Sequence, residues 1–272
     1  MNQRNINSLS APIPLSMQGS EILSTQATRL GGSITYLKTP NGTEAFLKTA
    51  RQFERLELQR EFRNLVALKG RVPIPDVLDF QDDGIVTQLV LQRAPGVPLH
   101  EMCQSWEKEK TLSVIAEVLH TLWNSADILQ LLLPSQGVEE ELQDVALLLE
   151  QGRIDTIGFE QDSGVKSPIT AYHQVKANLE LRKFNVLSHG DLCLPNILVQ
   201  TDGTWLLIDW GKAGIADRFR DLASLEGSLR RNIDVGAFHE LLKYLDLDDP
   251  NNIDKKMSVY KLLDVFWYNA LI

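Results

Sequence analysis

The sequence predicts an α+β chain in two lobes, a small β-rich N-terminal lobe and a larger helical C-terminal lobe. Three observations carry this. The 272 residues are too many for one small module and too few for a string of independent domains. Short β-rich segments fill the first hundred residues, and helical periodicity dominates afterwards. Between them Ala94-Pro95-Gly96-Val97-Pro98 breaks regular structure. The division is therefore residues 1–93, a hinge at 94–98, and residues 99–272.

Segments 21–29, 34–38 and 44–48 read as strands, separated by Gly31-Gly32-Ser33 and by the turn Pro40-Asn41-Gly42-Thr43. A helix follows from about Phe53 to Lys69, with Leu58, Phe62 and Leu65 on one face and Gly70 at its end. Strands near 75–80 and 85–92 complete the lobe. Beyond the hinge, helical patterns cover 108–132, 138–151, 169–181, 221–231, 235–245 and 257–270. The exception is 197–209, where Ile197-Leu198-Val199, Asp202-Gly203 and Trp205-Leu206-Leu207-Ile208 read as a β-hairpin.

Apolar residues at 43% and charged ones at 23% exclude a disordered or fibrous chain. The longest apolar runs fall far short of the ~20 residues that cross a bilayer, so no membrane partner is expected. The start MNQRNINSLS lacks the form of a signal peptide, and two cysteines cannot make a disulfide framework, which points to the cytoplasm. A net charge of −9 argues against nucleic acid. Split at the hinge, residues 1–98 carry 11 Lys/Arg against 9 Asp/Glu, a net of +2, and residues 99–272 carry 16 against 27, a net of −11. That asymmetry suits a first lobe that meets an anion and a second that meets a cation.

The most informative stretch is His189-Gly190-Asp191-Leu192-Cys193-Leu194-Pro195-Asn196, followed by the hairpin and Asp209-Trp210-Gly211. Asp191 and Asn196 share one loop just before a strand, and Asp209 ends the strand that returns beside it. A hairpin brings its ends together, so the three side chains converge. Hard oxygen donors from Asn196 and Asp209 suit Mg²⁺, and a carboxylate off the metal, Asp191, can accept a proton from a hydroxyl. Cys193 is read as packing, and His120 as a core or loop-bracing histidine.

HxD, an Asn five positions on, and a hairpin ending in DxG resemble the phosphoryl-transfer signature of protein-kinase-like folds. The wording HGDLCLPNILV…LIDWGKAGIADRFRDLA closely resembles the aminoglycoside 3′-phosphotransferases, and LQREFRNLVAL, VPIPDVLDF and LLDVF extend the likeness over most of the chain. The resemblance implies a cytoplasmic ATP-dependent kinase, with GTP not excluded, that phosphorylates a hydroxyl of a cationic aminoglycoside, the 3′-hydroxyl foremost, and so confers resistance. It implies a monomer or weak homodimer. The alternative is a kinase of another small hydroxylated molecule. Asp191 would be the base or hydroxyl-orienting residue, Asn196 and Asp209 the magnesium ligands, His189 a brace of the catalytic loop, and Asp221 its support from the next helix.

In the first lobe Lys48 ends an alternating strand, where such folds place the lysine that grips phosphates. Glu61 falls on the buried face of the helix between Leu65 and Leu68, and a carboxylate there calls for a cation, for which Lys48 is the candidate. Gly32 and Ser33 suit a loop whose backbone N–H groups approach phosphates. By resemblance, Arg93 and Ala94 offer backbone groups to the adenine edge. Glu160 and Asp162 resemble an acidic loop closing over the drug, with Lys212 and Asn232 as further contacts. The chain departs from the family at Lys212, where an arginine is usual, at Arg231-Asn232, where an acidic pair is usual, and at Val265 in place of an acid, followed by residues 267–272.

Overall fold

The computed structural model describes residues 12–28, 31–125, 138–180, 186–247 and 250–271. Five antiparallel strands build the first lobe: β1 (Glu21–Ala27), β2 (Ser33–Lys38), β3 (Glu44–Arg51), β4 (Val77–Asp82) and β5 (Val86–Gln92), in the order β1-β2-β3-β5-β4. Alternation along β3 buries Ala45 and Leu47 on one face and leaves Phe46 and Lys48 on the other, where Lys48 faces Ile34 of β2 and Leu89 of β5. The β2–β3 turn rests on Gly42 at φ +87°, a conformation that costs glycine nothing.

Helix α1 (Gln52–Leu68) leaves directly from β3 and buries Leu58, Leu65 and Leu68 together with the polar Glu61 and Asn64. It also joins the lobes. Arg60 donates to Asp144 (3.0 Å) and Arg63 pairs with Glu140 (3.1 Å), both on a helix of the second lobe.

Part of the 94–98 segment has regular structure. Val97–Pro98 forms a strand, β6, that pairs with β8 (Ile197–Val199), which in turn pairs with β9 (Trp205–Leu207). Proline is tolerated there because β6 is an edge strand. The expected 197–209 hairpin is thus present and carries a third strand. Gly96 has φ +109°, and a Cβ on it would stand 2.8 Å from the Val199 carbonyl oxygen, so the chain enters the second lobe flush against β8.

The second lobe is helical: α2 (Leu99–Met102), α3 (Lys108–Asn124), α4 (Val138–Glu150), α5 (Thr156–Ser163), α6 (Pro168–Glu180), α7 (Phe219–Asn232), α8 (Ala237–Tyr244) and α9 (Pro250–Tyr268). Residues 126–132 of the expected 108–132 helix, residue 29 and residue 181 lie outside the described residues. Its core includes Ile115, Leu119, Leu122, Phe159, Leu187, Trp210 and Phe266, all fully buried. The sequence reading missed the short strands β7 (Val186–Ser188) and β10 (Gly214–Ala216), which pair antiparallel. Each has three residues, all buried, so neither shows the alternation that reveals a strand. α9 begins at Pro250, seven residues before the expected 257, and proline at the first helical position is a helix-start signal. Among the described residues no helix is long and apolar enough to cross a membrane.

Candidate active site

A cleft between the lobes holds an apolar cavity of about 370 Å³. Ile34, Phe46 and Leu91 line it from the sheet, Leu198 and Ile208 from the second lobe, and Gln92, Arg93 and Ala94 form its rim. The Arg93 N–H is committed to the Glu44 carbonyl (2.9 Å). Lys48 and Asp209 stand at the inner end.

Lys48 Nζ donates to both Glu61 oxygens (2.7 and 2.8 Å) and to Asp209 Oδ1 (2.8 Å). The pair proposed from the helical wheel is therefore formed, and Asp209 joins it. Burial disfavours the Lys48 ammonium, yet Asp209 and Glu61 outweigh that penalty and hold its pKa above the ordinary value. Lys48 in turn holds the Asp209 carboxyl below the usual carboxylate range. Asp209 has φ +71°, a left-handed conformation that aspartate tolerates better than most residues; it turns the chain from β9 into the short 3-10 helix Trp210–Lys212.

The loop after β7 is fixed from beneath. Asp221, fully buried on α7, accepts from Ser188 Oγ (2.9 Å) and from the N–H groups of His189 (3.2 Å) and Gly190 (3.0 Å). His189 Nε2 donates to the Ile208 carbonyl (2.9 Å), which ties the loop to the residue before Asp209. Gly190 has φ +80°, and a Cβ there would stand 2.2 Å from the Lys212 carbonyl oxygen. Only glycine lets these two chains touch. Asn196 Nδ2 donates to the Asp191 carbonyl (2.9 Å), which fixes the amide and leaves Oδ1 as its free acceptor.

Asn196 Oδ1 and the second Asp209 oxygen are hard donors, and they fit Mg²⁺, which takes few protein ligands and keeps the rest as water and phosphate oxygens. Among the described residues no cluster of three or more His, Cys, Asp or Glu forms a self-sufficient metal site.

Other expected contacts are placed differently. The Gly32 N–H is spent on Thr28 Oγ1 (2.8 Å), and a Cβ on Gly32 would stand 2.2 Å from Glu54 Oε2 and 2.5 Å from the Thr49 carbonyl oxygen. This glycine makes room for Glu54 and β3, while Ser33 lines a polar cavity with Lys48, Glu57 and Asp209. Glu160 and Asp162 lie on a helix, α5, and not on a loop. Asp155 caps its N-terminus by accepting from Ile157 (3.0 Å) and Gly158 (3.2 Å), and Gly164 closes it in a left-handed turn. Those two signals were present in the sequence, and the glycine at position 158 obscured them. Asp162 accepts from Asn269 (3.0 Å), and Asn232 folds its amide back onto the Ser228 carbonyl (2.8 Å). Lys212 sits among Glu141, Asp191, Glu57 and Asp264, whose charges overcome the burial penalty and raise its pKa. His120 is exposed, with Nε2 3.4 Å from the Tyr244 carbonyl; it braces a helix end and is no core residue.

Three features escaped the sequence reading. Asn64, buried on α1, donates to the carbonyls of Trp210 (2.8 Å) and Ala213 (3.0 Å), locking α1 to the segment after Asp209. Arg220, 1% exposed, pairs with Glu141 (2.9 Å) and Asp264 (2.9 Å). Trp267 Nε1 donates to Glu141 (2.7 Å), and its ring lies 5.0 Å from Lys212 Nζ. Trp267 thus packs against Glu141 and Lys212 in a small cavity beside Gly211. Asp155 N–H donates to the Asn269 carbonyl (2.8 Å) and Leu271 N–H to the Arg153 carbonyl (2.8 Å).

A β lobe with a lysine–glutamate pair, a helical lobe with an HxD loop, and Asp209 between them define a small-molecule kinase of the protein-kinase-like fold. The family model described as the phosphotransferase enzyme family matches residues 30–252, and the chain belongs to that family. It is similar to the aminoglycoside 3′-phosphotransferase of Niallia circulans, 27% identical over 239 residues, which cover 87% of this chain and 89% of the relative. In structure it is similar to an aminoglycoside-3′-phosphotransferase of type VIII, with a TM-score of 0.70 and 25% identity over 91% of this chain and 94% of that one. The aminoglycoside phosphotransferase APH(3″)-Id of Streptomyces rimosus, in complex with ADP and streptomycin, shares the fold, with a TM-score of 0.66 and 18% identity over 89% and 92% of the chains.

Proposed function

We propose that the protein transfers the γ-phosphoryl group of ATP to a hydroxyl of an aminoglycoside. The observation that carries the reading is Lys48, held by Glu61, reaching Asp209 at the inner end of an apolar slot rimmed by residues 92–94. The slot suits a purine, with Ala94 at its edge. Lys48 grips the α- and β-phosphates, and Glu61 keeps it aimed. Asn196 and Asp209 would hold Mg²⁺, which when bound would neutralise charge on the phosphate oxygens. Asp191 orients the acceptor hydroxyl and takes its proton as the new O–P bond forms and the bond to the β-phosphate oxygen breaks, releasing ADP. The 94–98 segment serves as the hinge between lobes, and the reaction is assigned to the cytoplasm. The names of the relatives and the net −11 of residues 99–272 support a polycationic acceptor.

A coupled ADP-release assay over a panel of aminoglycosides, with Asp191→Ala as control, tests this. Turnover of at least one member is expected, with kcat lower by about 10²–10⁴-fold in the variant. No turnover across the panel would overturn the acceptor assignment, and undiminished activity of the variant would overturn the mechanism.

A further inference from the structure

Beside the catalytic loop, the C-terminal half of α7 and the end of α9 enclose a further cavity of about 300 Å³, lined among others by Ser224, Gly227, Arg230, Arg231, Lys261 and Tyr268. Its position follows from α7 itself. Asp221 of that helix holds the His189 and Gly190 N–H groups, and Ser228 Oγ accepts from the Leu194 N–H (3.0 Å), so the helix face next to the cavity grips the loop that bears Asp191. Tyr268, on the opposite wall, feels both the Asp191 and the Asp264 charges, opposed by Lys212 and Arg231.

The charges in this cavity do not cancel. Its two acids are engaged, Asp264 with Arg220 (2.9 Å) and Glu226 with Lys261. Arg230 and Arg231 are exposed and have no ion pair among the described residues. The Arg231 side chain folds back along its own helix. Its Nη1 lies 3.2 Å from where a Cβ on Gly227 would be, so the guanidinium lies over a glycine one turn back. A glycine inside a helix costs about 1 kcal/mol relative to alanine, and here it clears the space the guanidinium occupies. A guanidinium presents a planar fork of donors matched to a carboxylate or phosphate, and two unpaired ones in one concavity repel an ammonium group.

We propose that this cavity is an anion subsite of the acceptor site. It takes a carboxylate or phosphate and turns away the acceptor's ammonium groups, so that Arg231, with Arg230, sets which acceptors are used. The proposal rests on the assignment of Asp191 as the residue that orients the acceptor hydroxyl. It narrows the acceptor to a molecule whose amines lie away from Arg230 and Arg231.

Two measurements test it. Citrate is titrated calorimetrically into ADP-saturated wild type, the R230E/R231E double variant and Arg231→Lys. Binding to wild type and to Arg231→Lys, with at least a tenfold loss in the double variant, is expected; equal binding to all three, or binding to none, overturns the subsite. In steady-state assays the double variant should lower KM for the most amine-rich aminoglycosides by about tenfold relative to the least amine-rich, with KM for ATP unchanged. An identical ranking of acceptors in both proteins overturns the selectivity. If no aminoglycoside is turned over but the citrate pattern holds, the aminoglycoside assignment fails and the subsite stands.

Discussion

Lys48 Nζ lies 2.8 Å from Asp209 Oδ1, across the cleft and 161 residues away along the chain. The same ammonium holds Glu61, so one cation neutralises two acids from different lobes. The contact sets the width of the cleft where the phosphates of a nucleotide have to enter. It also makes Asp209 and Lys48 respond together to any substitution.

Lys48→Met removes the only cation bonded to Glu61 among the described residues, and Glu61 is 3% exposed. kcat/KM for ATP should fall by about 100-fold or more, the scale of losing one charged contact to a reacting phosphate. ADP-release kinetics at varied ATP check this, with circular dichroism to show that the lobe remains folded. Unchanged nucleotide kinetics would remove Lys48 from the site.

Gly190→Ala forces a Cβ to within 2.2 Å of the Lys212 carbonyl oxygen, from a backbone at φ +80°. Strain and overlap together should cost about 3 kcal/mol or more. Relief requires the catalytic loop or the Lys212 segment to move, and either displaces Asp191 relative to Asp209. Thermal unfolding should show a lower Tm, and kcat should drop well beyond what the stability loss explains at assay temperature.

Glu57 lines two cavities, one with Lys48 and Asp209 and one with Gly211 and Lys212, and burial pushes its carboxyl up to about 7 against the pull of Lys212. The folded protein therefore keeps a proton that the unfolded chain releases from its ordinary value of 4.5 upward. Stability contributed by this group is complete below that value, falls as pH rises toward 7, and is flat beyond. In nucleotide-free protein Glu57→Gln should match wild type near pH 4.5 and exceed its Tm at pH 8. A parallel pH dependence in the two proteins would refute this.

Burial, aided by the Asp191 charge, pushes the Cys193 thiol up to about 12. It is a thiol at neutral pH and no nucleophile. Cys193→Ala should keep kcat within about threefold, and iodoacetamide at pH 8 should modify the wild-type residue about 100-fold more slowly than a free thiol.

The sequence alone determined the two lobes, the hairpin that brings Asn196 near Asp209, and the pairing of Lys48 with Glu61. Each rests on a local rule: alternation along β3, the buried stripe of α1, and the return of a two-stranded turn. It failed where the signal was too short or the partner too distant. Three-residue β7 and β10 carry no period, and nothing near Asn64 announces that it will hold two carbonyls beyond Asp209. Only the tertiary structure decided that Gly32 makes room for Glu54, that Asp162 binds Asn269, and that Arg220 buries itself between Glu141 and Asp264. A buried charge or a close backbone approach is settled by whatever packs against it, and those neighbours lie tens to hundreds of residues away. Local propensity therefore names the residues that do the chemistry, and long-range packing decides what else they touch.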